Sequence, residues 1–534
     1  MGIYLNSKAA FTLYQNETKK PYFVDKSLML EELFPMVKEG SNYICITRPR
    51  RFGKTVMANM IDAFFSKACD GEMLFHSLKI SQNRDAKKYR NQYPVIHISF
   101  NDISRQCTSY EQYISRIENR LVRDLKKEYE NLEEEFLVDV LMELYEKKEV
   151  RFLFILDEWD FLFHQPFVTE TEKRHYLDFL RNLLKDRPYV LLAYMTGILP
   201  IAKYSSGSEL NMFTEFTMAK SMAFSDYFGF VQKEVDDLYQ KYLKNCSEPS
   251  ITREGLRQWY NGYHTASGER VYNPRSVVQA LRYNELANYW TSSGPYDEIY
   301  YYIENNVAAV REDLACMVSG IPVPVKIQEY AATSLNLQTK DEIFSAMVVY
   351  GFLSYEDGNV SIPNKELMDR FDEMLRKESS LGYVYRLAQE SEKMLRATQA
   401  GDTDTMTEIL EFAHNTEIPL LHYNSETELT AIVNLVYLAA RDRYRIERED
   451  KAGIGYVDFI FYPEIDKKDD CIILELKIDH TPEEAIEQIK KRKYALRFQA
   501  KLGETPKYTG RILAVGIGYD KVRKKHSCKI EVLL

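Results

Sequence analysis

The chain has 534 residues, too many for one hydrophobic core, and two to four domains are expected. With 45% hydrophobic and 28% charged residues and a net charge of −10, it is an ordinary globular composition with no global attraction to nucleic acid or anionic membrane, so any such contact must use a local patch. No apolar run approaches a membrane span, no basic segment precedes an apolar one at the N-terminus, and the seven cysteines contain no CxxC pair, which predicts a cytoplasmic protein without disulfide framework or zinc.

Residues 21–27 (PYFVDKS) lead into a helical stretch that ends near residue 40. An N-cap and edge helix are expected there, with a flank for a nucleotide base as the alternative. Residues 43–46 (YICI) predict a short buried strand, and 56–65 (VMANMIDAFF) carry apolar residues at helical spacing. Between them stands Gly53-Lys54-Thr55. Strand, loop, Gly-Lys-Thr and helix is the layout of a phosphate-binding loop. The first turn of a helix has unpaired N–H groups and partial positive charge, so it attracts phosphate. Gly53 lets the backbone approach, Lys54 can reach the β- and γ-phosphates, and Thr55 can ligate Mg²⁺. The usual first glycine is replaced by Arg48, and Pro49, Arg50, Arg51 and Phe52 fill the loop. Its arginines could add charge beside the phosphates or meet a second partner. The candidate nucleotide contacts here are Arg51, Phe52, Gly53, Lys54 and Thr55.

Residues 93–100 predict a second strand, with His97 a sheet residue and not a ligand, and 109–148 a long charged helical region. Residues 152–156 are continuously apolar, as suits a parallel strand covered on both faces. Asp157 and Glu158 follow at its C-terminal end, where open α/β sheets bind ligands. Asp157 would hold Mg²⁺ through water, and Glu158 would polarise the attacking water. The plainer reading is an acidic loop after a buried strand, and the Gly-Lys-Thr loop upstream favours the catalytic one. A further strand, 189–195, ends at Thr196, a candidate sensor of the γ-phosphate. Strands alternating with helices imply a parallel sheet.

From about residue 220 helices and aromatic turns take over. Residues 259–264 (WYNGYH) predict a packed aromatic corner, with closure over the nucleotide as the alternative. Asn273-Pro274 predicts the cap and first position of a helix. Residues 341–350 predict a helix and 351–363 a hairpin turning at Asp357-Gly358, the ending of a winged-helix unit that would serve DNA or protein alike. A junction is expected within the helical, polar stretch 376–424. The expected domains are 1–220, 221–375 and 376–534.

In the last domain a helix over 427–441 precedes a strand at 455–462 and, after a polar turn, another at 471–477. A helix over 482–500 carries Gln488, Lys490, Lys491, Arg492 and Lys493, and a final strand covers 511–517. Glu475 and Lys477 point to one face of their strand, because side chains alternate. With Asp458 on a neighbouring strand they predict a Mg²⁺ site for phosphodiester hydrolysis, the lysine orienting water. A half-exposed hairpin with a polar side is the alternative.

These stretches together resemble the bacterial AAA-ATPase-like proteins that end in a PD-(D/E)XK nuclease domain, over nearly the whole chain. The resemblance rests on Tyr22-Phe23-Val24-Asp25-Lys26, Arg48-Pro49-Arg50-Arg51-Phe52-Gly53-Lys54-Thr55, Leu156-Asp157-Glu158-Trp159-Asp160, Trp259-Tyr260-Asn261-Gly262-Tyr263 and Tyr272-Asn273-Pro274. It continues in Ile362-Pro363-Asn364-Lys365-Glu366, Asp458, Glu475-Leu476-Lys477 and Gln488. It makes Arg48 a family feature, and Trp159 stands where tyrosine is more usual. It implies an α/β multidomain fold: a P-loop NTPase parallel sheet, a helical and winged-helix-like middle, and a restriction-endonuclease-like C-terminal domain. It implies ATP and Mg²⁺ as cofactors, Asp157 and Glu158 as the metal and water-activating pair, and Asp458, Glu475 and Lys477 as the nuclease triad. A helical glutamate is often a further metal ligand in such domains; Glu426 and Glu428 qualify, and Glu428 begins the stripe with Ile432 and Val436. No arginine finger is identifiable. The expected function is ATP-driven DNA cleavage, with defence against foreign DNA suggested by analogy, no membrane partner, and homo-oligomerisation left open. The alternative is a non-cleaving regulatory ATPase that uses the C-terminal fold as a binding platform.

Overall fold

A computed structural model describes residues 2–104, 107–201, 209–219, 221–290, 307–327, 337, 339–377, 381, 383–415, 426–451, 456–498 and 508–533. The chain divides into two compact units, Met1–Ile299 with Pro324–Glu366, and Tyr300–Val323 with Leu367–Leu534.

The first unit is built on a parallel sheet of β1 (Asn42–Thr47), β2 (Val95–Ser99), β3 (Phe152–Asp157), β4 (Val190–Gly197) and β5 (Thr214–Phe216). The strand order is β2-β3-β4-β1-β5. Every residue of β3 and β4 is buried, as their unbroken apolar runs require. β1 lies between β4 and β5, so the chain reverses its direction of strand addition beside β1, where open sheets form a crevice at their C-terminal edge. The helix Lys54–Phe65 leaves β1 directly and buries ten of its residues under the sheet. The charged helical region after β2 consists of two helices, Tyr110–Glu128 and Leu137–Lys148. Between them Asn131 takes a left-handed conformation that a continuous helix cannot hold.

Three helices, Gln232–Asn245, Arg253–Tyr260 and Pro274–Tyr283, follow in the same unit. Their core includes Val235, Leu238, Tyr242, Tyr260, Tyr272 and Val277. Asn273 caps the last of them by accepting the Ser276 N–H, with Pro274 at the first helical position. The helix Lys340–Tyr350 starts on a Thr339–Glu342 capping box. The hairpin Ser354–Glu356 with Asn359–Ser361 then turns through Asp357 and Gly358, both at positive φ. Phe352 and Leu353 are buried beside it. Helix then hairpin is thus the arrangement the Asp-Gly turn implied.

The second unit carries the helices Tyr383–Ala400, Thr403–Asn415 and Glu426–Val436 and a five-stranded sheet. In spatial order its strands are Tyr444–Lys451, Tyr456–Pro463, Cys471–Ile478, Ile512–Asp520 and Lys525–Val532. All neighbours are antiparallel except Cys471–Ile478 with Ile512–Asp520, which are parallel and joined through the helix Pro482–Lys491. The first and last of these strands lie outside the elements that the sequence predicts. Among the described residues no helix is long and apolar enough to cross a membrane.

Candidate functional site

The loop after β1 is held by its own lysine. Lys54 Nζ donates to the carbonyls of Arg48 (2.8 Å) and Pro49 (3.0 Å), which draws the loop into a ring around the ammonium. Burial pulls the Lys54 pKa down to about 8, against the neighbouring carboxylates of Asp160, Glu158 and Asp157. Gly53 takes a left-handed conformation, φ +94°, at the start of the helix, and that backbone favours glycine. Thr55 lies exposed in the helix's first turn.

Arg48 behaves differently from its sequence neighbours. Its guanidinium is buried, donates to the carbonyls of Thr47 (2.8 Å) and Phe216 (2.7 Å), and packs over the Phe228 ring. It therefore ties β1 to β5, and the expectation that all three loop arginines could sit beside phosphate is corrected for this one. Arg51 stays at the surface of the loop, where burial, then Arg275 and Arg50, depress its pKa. Phe52 is buried and meets Tyr263 edge-on at 5.0 Å, so the aromatic corner touches the phosphate loop.

Two strands away, Asp157 is fully buried. Thr196 Oγ1 donates to Asp157 Oδ1, and Asp157 Oδ2 has no hydrogen-bond partner. Glu158 takes a left-handed backbone conformation, φ +55°, just past the end of β3. Its carboxylate accepts from the Asn101 side chain, whose own oxygen accepts from Ser99 Oγ at 3.0 Å. Burial, then the Asp157 charge, raises the Glu158 pKa, while Lys54 and Asn101 lower it. Asp160 accepts the N–H groups of Ile198 (3.0 Å) and Leu199 (2.9 Å), which fixes the chain leaving β4. In the sequence Asn101 and Arg275 carry no assigned role, and Asp160 stands only as part of the Leu156–Asp160 stretch. For Asn101 the signal was its place just beyond β2, at the ligand-binding edge of the sheet.

The second unit gathers another set. The ladder between the strands of Asp458 and Glu475 ends at the pair Phe459–Leu474. One step on, Asp458 Oδ2 accepts the Leu476 N–H at 2.7 Å, so the carboxylate takes the place of a ladder carbonyl. Lys477 Nζ lies 3.4 Å from Glu475 Oε1, and Gln488 Nε2 donates to the same oxygen. Glu475 is 2% exposed and its Oε2 has no partner. Burial, then Asp458, pushes the Glu475 pKa up to about 7. Gly516, opposite Glu475, lets the helix Pro482–Lys491 come close: a Cβ there would stand 2.3 Å from the Pro482 carbonyl. That close approach puts Gln488 onto Glu475. Of the basic residues beyond it, Lys490 is paired with Glu487 and Glu531, and Arg492 donates to the Tyr494 hydroxyl. The side chains of Glu426 and Glu428 lie outside the described residues.

Residues 12–206 match the family model described as a predicted AAA-ATPase, and residues 427–520 match the PD-(D/E)XK nuclease superfamily. The chain carries an AAA-ATPase-like domain followed by a PD-(D/E)XK nuclease superfamily domain. A curated relative, an uncharacterised protein encoded in the vnfD 5′ region of Azotobacter chroococcum, is 26% identical over 281 residues. That match covers 51% of each chain, so it spans about half the length of the relative. Among solved structures, the Walker-type ATPase of Pyrococcus abyssi aligns at 9% identity with TM-score 0.34, covering 65% of this chain and 94% of its own. The ORC2 protein of Aeropyrum pernix aligns at 11% identity with TM-score 0.33, covering 66% and 94%.

Both domains suit a hard cation. Among the described residues no group of three or more His, Cys, Asp or Glu side chains is arranged for a metal. Each domain instead offers a buried carboxylate with one unsatisfied oxygen, Asp157 Oδ2 in the ATPase-like domain and Glu475 Oε2 in the nuclease-superfamily domain. A buried, unpaired carboxylate oxygen is costly, and an oxygen-preferring divalent ion beside it relieves that cost. Asp157, and Asp458 with Glu475, offer oxygen donors of the kind a hard divalent ion takes.

Proposed function

We propose that this chain hydrolyses ATP in its first domain and uses the nucleotide state to license Mg²⁺-dependent cutting of DNA by its last. The observation that carries the proposal is Lys477 and Gln488 on the buried Glu475 carboxylate with the Asp458 charge beside it, in a chain whose loop after β1 also closes around Lys54 near Asp157.

In the first domain Lys54 and the N–H groups of its helix would meet the phosphates, while Thr55 and Asp157 would hold Mg²⁺. Glu158 accepts a proton from the attacking water, and Asn101 and Thr196 position the two carboxylates. Arg51, with Arg275 as a charged neighbour, adds positive charge at the loop. In the last domain Asp458 and Glu475 would hold Mg²⁺, with Glu428 as a further ligand. A bound ion would supply Lewis-acid charge at the phosphate. Lys477 would orient an attacking water, and Gln488 fixes the Glu475 carboxylate. The domain limits 1–220, 221–375 and 376–534 belong to this reading, as do a cytoplasmic location and defence against foreign DNA.

Incubating the full chain with supercoiled plasmid and Mg²⁺, with and without ATP, tests it. Nicking that requires Mg²⁺, depends on ATP and disappears in Glu475→Ala supports both halves. A well-folded Glu475→Ala protein that cuts at the parent rate overturns the nuclease half.

A further inference from the structure

The last hairpin of the chain joins the strands Ile512–Asp520 and Lys525–Val532 through Lys521-Val522-Arg523-Lys524. Lys521, Arg523, Lys524 and Lys525 place four cations in five positions of a chain whose net charge is −10, and all four are exposed. Their charge is weakly compensated. Arg523 approaches Asp520 only to 3.8 Å and Lys521 approaches Asp479 only to 3.9 Å, while Lys524 and Lys525 have no ion pair among the described residues. Further along the same strand Lys529 has two carboxylate neighbours, Glu483 at 3.5 Å and Glu531 at 3.7 Å, and Lys490 on the helix Pro482–Lys491 is paired with Glu531 at 2.6 Å. Positive potential is thus concentrated at the tip.

The tip backbone is also set in place. Asp520 Oδ1 accepts the N–H groups of Val522 (2.9 Å) and Arg523 (2.8 Å), and Asp479 Oδ1 accepts that of Lys521 (2.9 Å). Such bracing lowers the ordering cost of a contact. At the apex Val522 is 90% exposed between two cations, a small apolar surface suited to a sugar edge. The register then relates the tip to the carboxylates. Glu475 is level with Gly516 and Lys477 with Gly518, and the tip begins after Asp520. Its base, the pair Asp520–Lys525, therefore lies about 13 Å from the Glu475 level on the Lys477 side, at about 3.3 Å per residue. At 3.4 Å per base step this is a reach of about four base pairs.

We infer that this basic hairpin tip is a docking element for the backbone of duplex DNA, gripping phosphates about four base pairs from the Glu475 site. The inference rests on the proposed nuclease reading and names where that domain holds its substrate. Its contacts are to phosphate and sugar and so carry no base selectivity.

The test is binding of the full chain to a labelled 30-base-pair duplex in EDTA, read by fluorescence anisotropy at several salt concentrations. Lys524→Glu/Lys525→Glu should weaken binding at least tenfold and lower the slope of log affinity against log salt by about 2, one unit per lost phosphate contact. Lys524→Gln/Lys525→Gln, which adds no negative charge, should fall between the two and guards against a folding defect. Equal affinity and slope in parent and both variants overturn the inference. So does a parent chain that ignores the duplex but sediments with vesicles rich in anionic lipid. The two readings separate cleanly. If duplex binding depends on the tip but the parent never cuts with Mg²⁺ and ATP, the docking element stands and the nuclease reading falls. If the tip variants bind and cut as the parent does, the nuclease reading stands and the docking element falls.

Discussion

Thr196 on β4 donates its hydroxyl to Asp157 at the end of β3, and this bond occupies one carboxylate oxygen while the other stays buried without a partner. The register brings them together, since Leu156 is level with Met195 and the next residues along are Asp157 and Thr196. Thr196→Val keeps the shape and removes the donor. The variant should lose about 1–3 kcal/mol of stability, the cost of stranding a buried acceptor, and should turn ATP over more slowly. Thr196→Ser should retain both. Urea unfolding and phosphate release measure these, and an unchanged unfolding midpoint in Thr196→Val would remove the positioning role.

Lys54→Ala should abolish most ATP binding, because its ammonium is the buried cation at the centre of the loop. Glu158→Gln should bind ATP as the parent does and lose turnover, since it keeps the side-chain shape without the base. Nucleotide binding by fluorescent-analogue titration, together with an ATPase assay, separates the two. Parent-like ATP affinity in Lys54→Ala rejects the phosphate-loop assignment.

Arg48→Gly restores the glycine usual at the start of such loops, yet it should harm this chain. The guanidinium bridges the carbonyls of Thr47 and Phe216 and covers Phe228, so its removal strands two acceptors and opens a cavity. A loss of about 2–4 kcal/mol is expected in chemical denaturation. A variant as stable as the parent would mean that β5 does not depend on this tie.

What was legible in the sequence follows from how strongly each element is written locally. β3 and β4 are unbroken apolar runs, the 354–361 hairpin has Asp357-Gly358 at its turn, and Asn273-Pro274 announces a helix start. By contrast β5 is three residues with no hydrophobic pattern, a strand only because β1 pairs with it. The edge strands Tyr444–Lys451 and Lys525–Val532 are polar and charged for the same reason, since edges are built to resist pairing. Glu475 and Lys477 could be placed on one face by alternation alone. That Asp458 takes the Leu476 N–H depends on where the ladder stops, which is a long-range property. The direction of the Arg48 side chain and the Asn101–Glu158 contact also depend on strand order, and no local signal carries that.

The Glu475 carboxylate offers a test that does not require cleavage. Its pKa in the folded chain is pushed up to about 7 by burial first and by Asp458 second, with Lys477 opposing. In the unfolded chain it should titrate near the ordinary glutamate value of about 4.3. The folded state therefore holds the proton more tightly, and this stabilises the fold at low pH. The contribution is fully present below the unfolded value and is lost as pH rises through about 7. Glu475→Gln removes the titration while keeping an amide in the same place. In EDTA the parent should lose about 3 kcal/mol, at most, relative to this variant between pH 4.5 and pH 8. Adding Mg²⁺ at pH 8 should restore the parent, because a divalent ion favours the ionised carboxylate, and should leave Glu475→Gln little changed. Urea unfolding at four pH values, with and without Mg²⁺, makes the comparison. Parallel pH profiles for the two proteins in EDTA would mean that Glu475 is not held as a buried acid. A parent that Mg²⁺ fails to stabilise at pH 8 would remove Glu475 from the metal site and leave the regulatory ATPase reading in front.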